Sequence, residues 1–154
     1  MTQVEKMMTQ IKPRMMTQIR KADYAEKTEK VPAHQWTERI IGCCYQVHNQ
    51  LGPGFPEKVY QAALVIALRQ VGLLVEEERY FDVSFDGQTV GAFRADLLVE
   101  QSIIVEVKAT SGPLPKLFTA QLVAYLRAAK LAVGLLVNFG NISCQIKRVS
   151  NSKR

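Results

Sequence analysis

The stretch RADLLVEQSIIVEVKA, residues 94–109, constrains the fold of this chain more than any other. Its odd positions Ala95, Leu97, Val99, Ile103, Val105 and Val107 are all apolar, whereas Arg94, Asp96, Glu100, Glu106 and Lys108 fall on even ones. Such alternation describes two β-strands, because successive side chains of a strand point to opposite faces. Asp96, Glu106 and Lys108 are therefore expected on one face, opposite a continuous apolar row. With Gln101 at the centre of a three-residue turn, partners across the strands have numbers summing to 202. Asp96 then faces Glu106, and Arg94 faces Lys108. A slip of one residue would turn the apolar rows the wrong way, so the pattern opposes it.

Directly opposed Cβ atoms lie about 4.5–5.5 Å apart, and two carboxylates that close repel and resist desolvation. A cation between them resolves the conflict. Lys108 is one candidate; a divalent ion such as Mg²⁺, which takes one or two carboxylates with waters and a substrate phosphate, is another. The bland alternative is a charged strand edge that only blocks aggregation.

Around this hairpin the chain reads as alternating helices and strands. Thr37 is placed to cap a helix carrying Ile40, Cys44, Val47 and Leu51 at helical spacing. Gly and Pro in LGPG, residues 51–54, end it, and Pro56 opens a second helix that runs to Gly72. LLVEEERYFDVSF gives one or two strands before an Asp-Gly turn. PLPKLFTAQLVAYLRAAK gives a third helix, with Leu117, Ala120, Leu122, Ala124 and Leu126 as its expected buried side. LAVGLLVNFG has the unbroken apolar character of a central strand buried on both faces, and ISCQIKRV makes a last edge strand. The expected fold is α/β, a mixed sheet flanked by helices.

Length fits one domain of 154 residues, and 47% hydrophobic against 22% charged residues is ordinary for a soluble globular protein. No apolar run reaches the roughly 18 residues of a membrane span, and the N-terminus lacks a secretory apolar stretch. Cys43, Cys44 and Cys144 show no zinc spacing and read as reduced thiols, which implies the cytoplasm. The net charge of +6 is concentrated at the ends, since residues 36–146 carry nine basic and ten acidic side chains. Residues 1–35, with their repeated MTQ segments, are expected to be a low-complexity, disordered extension. The domain proper is expected over 36–149, with 150–154 a basic tail.

Asp96, Glu106 and Lys108, spaced D-x9-E-x-K, resemble the signature of the PD-(D/E)XK nuclease superfamily. GFPEKVY, residues 54–60, resembles the G-x-x-E-x-x-Y pattern of one bacterial family within it, and QLVAY carries the Q-x-x-x-Y pair of the RecB-like exonuclease branch as Gln121 and Tyr125. LLVNFG matches the strand that closes the family's core. The resemblance covers residues 38–149 and implies a restriction-endonuclease-like αβββαβ core. It further implies that Asp96, Glu106 and the main-chain carbonyl of Val107 hold Mg²⁺ or Mn²⁺. Lys108 would orient water or offset charge on the phosphate. Glu57 would reach the metal directly or through water, Gln121 and Tyr125 would brace Lys108 or the phosphate, and His48 would be a further metal contact. Against that role for His48 stands a helix-end histidine bonded to backbone. Trp36 reads as a core lid, and Glu76, Glu77 and Glu78 as a solvated strand edge. Ala67 and Phe118 depart from the family, which often has an acidic residue and a histidine there.

The function so implied is metal-dependent hydrolysis of phosphodiester bonds in nucleic acid, with DNA the expected substrate. The alternatives are an inactive nuclease-fold module that binds nucleic acid or acts as an adaptor, and a structural domain whose acidic pair is an ion-pair network with Lys108. A domain this small has little surface for reading bases as well as cutting, so a homodimer or protein partner is expected.

Overall fold

The computed structural model describes residues 33–151, and the N-terminal repeats and the last three residues lie outside that range. Ile40, Cys43, Cys44 and Val47 recur at intervals of three and four, and this buried stripe winds α1 (Ala33–Leu51) against its neighbours. The helix starts earlier than the sequence suggests. Thr37 is not its cap but lies buried one turn inside, where its hydroxyl donates to the His34 carbonyl at 2.8 Å. Trp36 is core, at 3% exposure. Gly52, at φ +67°, turns the chain out of α1, and Pro56 precedes α2 (Glu57–Gln70). That helix stops because Gly72 adopts φ +82°, letting Leu73 N–H reach the Leu68 carbonyl at 3.1 Å and its own N–H reach Arg69 at 3.0 Å.

The sheet contains β1 (Val75–Phe85), β2 (Gln88–Val99), β3 (Ile103–Lys108), β4 (Val133–Asn138) and β5 (Gln145–Ser150), in that spatial order. α3 (Lys116–Ala129) carries the chain from β3 to β4, the parallel pair, and the other pairings are antiparallel. The expected αβββαβ order is thus present, with β5 added at an edge. Every residue of β4 is buried. Tyr60 of α2 stacks on Phe139 at 4.8 Å on one face, and Leu122 of α3 approaches Gly134 closely on the other. The Asp86–Gly87 turn has φ +50° and +73°, the left-handed pair of a tight hairpin. No helix among the described residues is long and apolar enough to cross a membrane. Cys43 and Cys44 are buried and Cys144 partly so, all three as free thiols.

Two expectations need correction. The first concerns α3. Leu117 is 73% exposed and Ala120 and Ala124 face solvent, while Leu122 and Leu126 are buried as expected and are joined against the core by Phe118, Tyr125 and Ala129. Both sets have helical spacing, but the second buries rings and leucines at about 1.5–3 kcal/mol each where the first offers two alanines. The second concerns the hairpin. Its register is as expected, with Leu97↔Val105, Leu98↔Ile104 and Val99↔Ile103. Its alternation is not continuous, because odd-numbered Phe93 and Ala95 pack into the same cluster as even-numbered Leu98 and Ile104. The phase of β2 therefore breaks at Asp96 and Leu97. Across from Asp96, Glu78 of β1 has φ +52° and drops out of a ladder that pairs Glu77 with Leu97 and Arg79 with Ala95. The break also turns Arg94 away from Lys108. Its guanidinium lies 3.6 Å from Glu78 instead.

Candidate active site

Where the phase of β2 breaks, side chains replace the backbone pairing of β2 with β3. Val107 N–H donates to Asp96 Oδ2 at 2.9 Å, and Asp96 N–H donates to Glu106 Oε1 at 3.2 Å. Each carboxyl group is thus anchored crosswise by an N–H, which fixes its direction. The two carboxyl groups also stand within hydrogen-bonding reach of each other, a contact that favours a proton on Glu106. Two carboxyl groups from neighbouring strands, with Val107 beside them, are hard donors of the kind that suit Mg²⁺ or Mn²⁺.

Glu106 is 4% exposed. Burial first, and the charge of Asp96 second, push its carboxyl up to about 8, with Lys108 the smaller opposing influence. Ionised together, the two carboxylates repel unless a cation stands between them.

Lys108 is half-buried at the end of β3, and its Nζ stands 4.5 Å over the Phe118 ring of α3. The apparent departure at Phe118 therefore supplies a platform for the ammonium. Tyr125 stacks on Phe93 at 4.0 Å and 7°, and burial, then Glu106, then Asp96 raise its hydroxyl, which places it within the field of the acidic pair. Gln121 lies one turn before it on α3 and is exposed.

Glu57 stands exposed in the first turn of α2. Two contacts bring this end of α2 to β1 and β2: Lys58 pairs with Glu78, and buried Gln61 donates to the Asp96 carbonyl at 3.3 Å. Among the described residues, however, no three His, Cys, Asp or Glu side chains stand together as a metal-holding group. Glu57 and His48 thus do not close on the Asp96–Glu106 pair. His48 is buried beside Phe139 with its Nε2 2.8 Å from the Asn141 carbonyl. Tyr60 braces the turn before α2, donating to the Gly52 carbonyl at 2.5 Å and accepting from Phe55 N–H at 3.2 Å. Ala67 lines the groove between α1 and α2. Glu76 and Glu77 form partly exposed pairs with Arg79 and Arg69, as a solvated edge should.

Sequence reasoning missed Gln61 and Asn138. Both carry a readable signal, a polar side chain where the pattern demands an apolar one: Gln61 on the buried side of α2, Asn138 inside the apolar run of β4.

No curated protein matches the chain. Among solved structures, that of SSO0001 superposes with a TM-score of 0.50 at 19% identity, covering 63% of this chain. The match spans half of that protein's length, and at this identity the likeness shows the fold alone. The model of the PD-(D/E)XK nuclease superfamily matches residues 34–149, nearly all of the described domain. With the mixed sheet and its acidic pair beside a lysine, that match settles the family: the chain belongs to the PD-(D/E)XK nuclease superfamily.

Proposed function

We propose that this protein hydrolyses phosphodiester bonds of nucleic acid, with DNA as substrate, in a reaction dependent on Mg²⁺ or Mn²⁺, and that it stands in the GxxExxY branch of its superfamily. The observation that carries this reading is the crosswise anchoring of Asp96 and Glu106, which holds two carboxyl groups side by side near Lys108, the last residue of β3. Asp96, Glu106 and the Val107 carbonyl would hold the ion, and Glu57 would contribute through water from the end of α2. When bound, a divalent cation supplies positive charge to the scissile phosphate and lowers the pKa of water. The chain's own residues do the rest. Lys108, steadied over Phe118, would place its ammonium against the phosphate oxygens as charge grows there. Gln121 and Tyr125 would orient the phosphate from α3. His48, held by the Asn141 carbonyl, would serve the scaffold instead of the ion.

Cleavage of single- and double-stranded DNA should appear with Mg²⁺ or Mn²⁺ and vanish in Lys108→Ala. Calorimetry should find uptake of the ion by wild type and none by Asp96→Asn. Equal cleavage by wild type and Lys108→Ala would overturn the reading. Salt-sensitive DNA binding without turnover would replace it with the adaptor alternative.

A further inference from the structure

Past Lys108 the sheet ends, but the two segments stay joined. The last backbone pair of β3 and β4 is Lys108 with Asn138, and Phe139 N–H donates to the Lys108 carbonyl at 2.9 Å. Two carboxamides then take over. Asn138 Oδ1 accepts from Thr110 N–H at 3.0 Å while its Nδ2 donates to the Thr110 carbonyl at 2.8 Å. Asn141 repeats the arrangement on Gly112, accepting at 2.8 Å and donating at 2.9 Å. Each side chain offers one residue the donor and acceptor that a neighbouring strand would offer. The clamped residues are two apart and Gly112 takes φ +85°, so the two clamps fix the bend by which the chain leaves β3.

The clamp has no slack. Asn138, fully buried, also accepts from Gly140 N–H at 3.0 Å and donates to Gln145 Oε1 at 3.2 Å. Both donors and both acceptor sites of the carboxamide are thereby used. Gln145 Oε1 accepts from Asn141 as well, at 2.9 Å, which ties the two clamps together. Gly140 makes the approach feasible, because a Cβ there would lie 2.4 Å from the Thr110 backbone.

We propose that Asn138 is a positioning residue for Lys108. Its catalytic meaning rests on the nuclease reading, but its geometry does not. Lys108 is the last residue of β3, and the direction of its side chain follows the backbone on both sides of it. One side is set by the β4 ladder and the other by the clamps, of which that at Thr110 is the nearer. The clamped segment also leads into α3, whose first turn carries Phe118. Both halves of the contact between Lys108 and Phe118 therefore hang from the same seam. Loosening it lets the ammonium leave its place while the rest of the sheet stays intact.

The test uses the full chain and a signature that ordinary destabilisation does not move. A ring 4.5 Å from Nζ shifts the ε-methylene protons of Lys108 upfield, and Phe118→Leu gives the value without the ring. Asn138→Ala and Gly140→Ala should each carry that resonance at least about halfway to the Phe118→Leu value, the second without altering the carboxamide. Leu64→Ala, buried in α2 away from the seam, should lower the melting temperature and leave the resonance in place. Should Asn138→Ala fail to fold, Gly140→Ala alone decides. Under the nuclease reading, Asn138→Ala also lowers kcat about a hundredfold with little change in KM. Clamp variants that lose stability yet keep the Lys108 shift would overturn the proposal. A wild type that never cuts DNA would instead sink the nuclease reading and leave the resonance test standing.

Discussion

Strand β3 meets side chains where its two neighbours stop pairing with it, and the two meetings are chemically opposite. Toward β2, charged carboxyl groups replace the ladder; toward β4, neutral carboxamides do. The amide side is saturated, since every donor and acceptor of Asn138 is matched. On the acid side two carboxyl groups crowd together, and burial with the charge of Asp96 drives Glu106 up to about 8. A saturated group holds a shape, whereas a frustrated one waits for a ligand. The contrast separates scaffold from site within a few residues of the same strand.

The sharpest way to break this contrast is to exchange the chemistry of the two sides. Glu106→Gln should cut metal-supported DNA cleavage by about a thousandfold, while the metal-free melting temperature at neutral pH holds or rises because a frustrated carboxyl is gone. A marked loss of stability would mean that Glu106 belongs to the scaffold. Asn138→Asp is the reverse exchange. It turns a carboxylate oxygen on the Thr110 carbonyl and on Gln145 Oε1, and should cost about 3 kcal/mol by denaturant unfolding.

A smaller effect follows from pH. The folded protein holds the Glu106 proton more tightly than the unfolded chain, whose ordinary value is 4.5. The stability this contributes is complete below that value and is lost as pH climbs toward 8. The metal-free melting temperature should therefore fall over that window, the fall should flatten in Glu106→Gln, and Mg²⁺ should restore stability most at the alkaline end. A wild-type slope unchanged by Glu106→Gln would remove the frustrated carboxyl from the account. The smallest effect is expected from Phe118→Leu, about 0.5–1 kcal/mol in thermal unfolding for the lost cation–π contact. No change would leave Lys108 without its platform.

The register of the β2–β3 hairpin was legible because one turn and two apolar rows specify it locally. The break at Asp96 was not. Ala95 and Leu97 are both apolar and suit either face, so nothing in their identity marks the residue between them as the point where the phase changes. The irregularity opposite it is on β1 at Glu78, which takes φ +52° and whose pairing with Lys58 and Arg94 depends on α2 and β2 together. The buried side of α3 was ambiguous for a related reason: two stripes share a helical period, and only the packed sheet chooses between them. Asn138 announced itself as a polar residue in an apolar run, but its partner Thr110 lies 28 residues away. Phe118 looked like a lost histidine until Lys108 was found above it.

β1 and β2 run to 11 and 12 residues, whereas β3 has six, so the hairpin reaches beyond the strand beside it as a two-stranded ribbon. A ribbon of that kind is only marginally stable by itself. Here Phe81 rests on Phe93, and Phe93 on Tyr125. Bending the ribbon tilts Phe93, and Tyr125 must then follow or forfeit about 1 kcal/mol of stacking. A load applied at the far tip would so arrive, through a column of three rings, at the doorstep of the acidic pair.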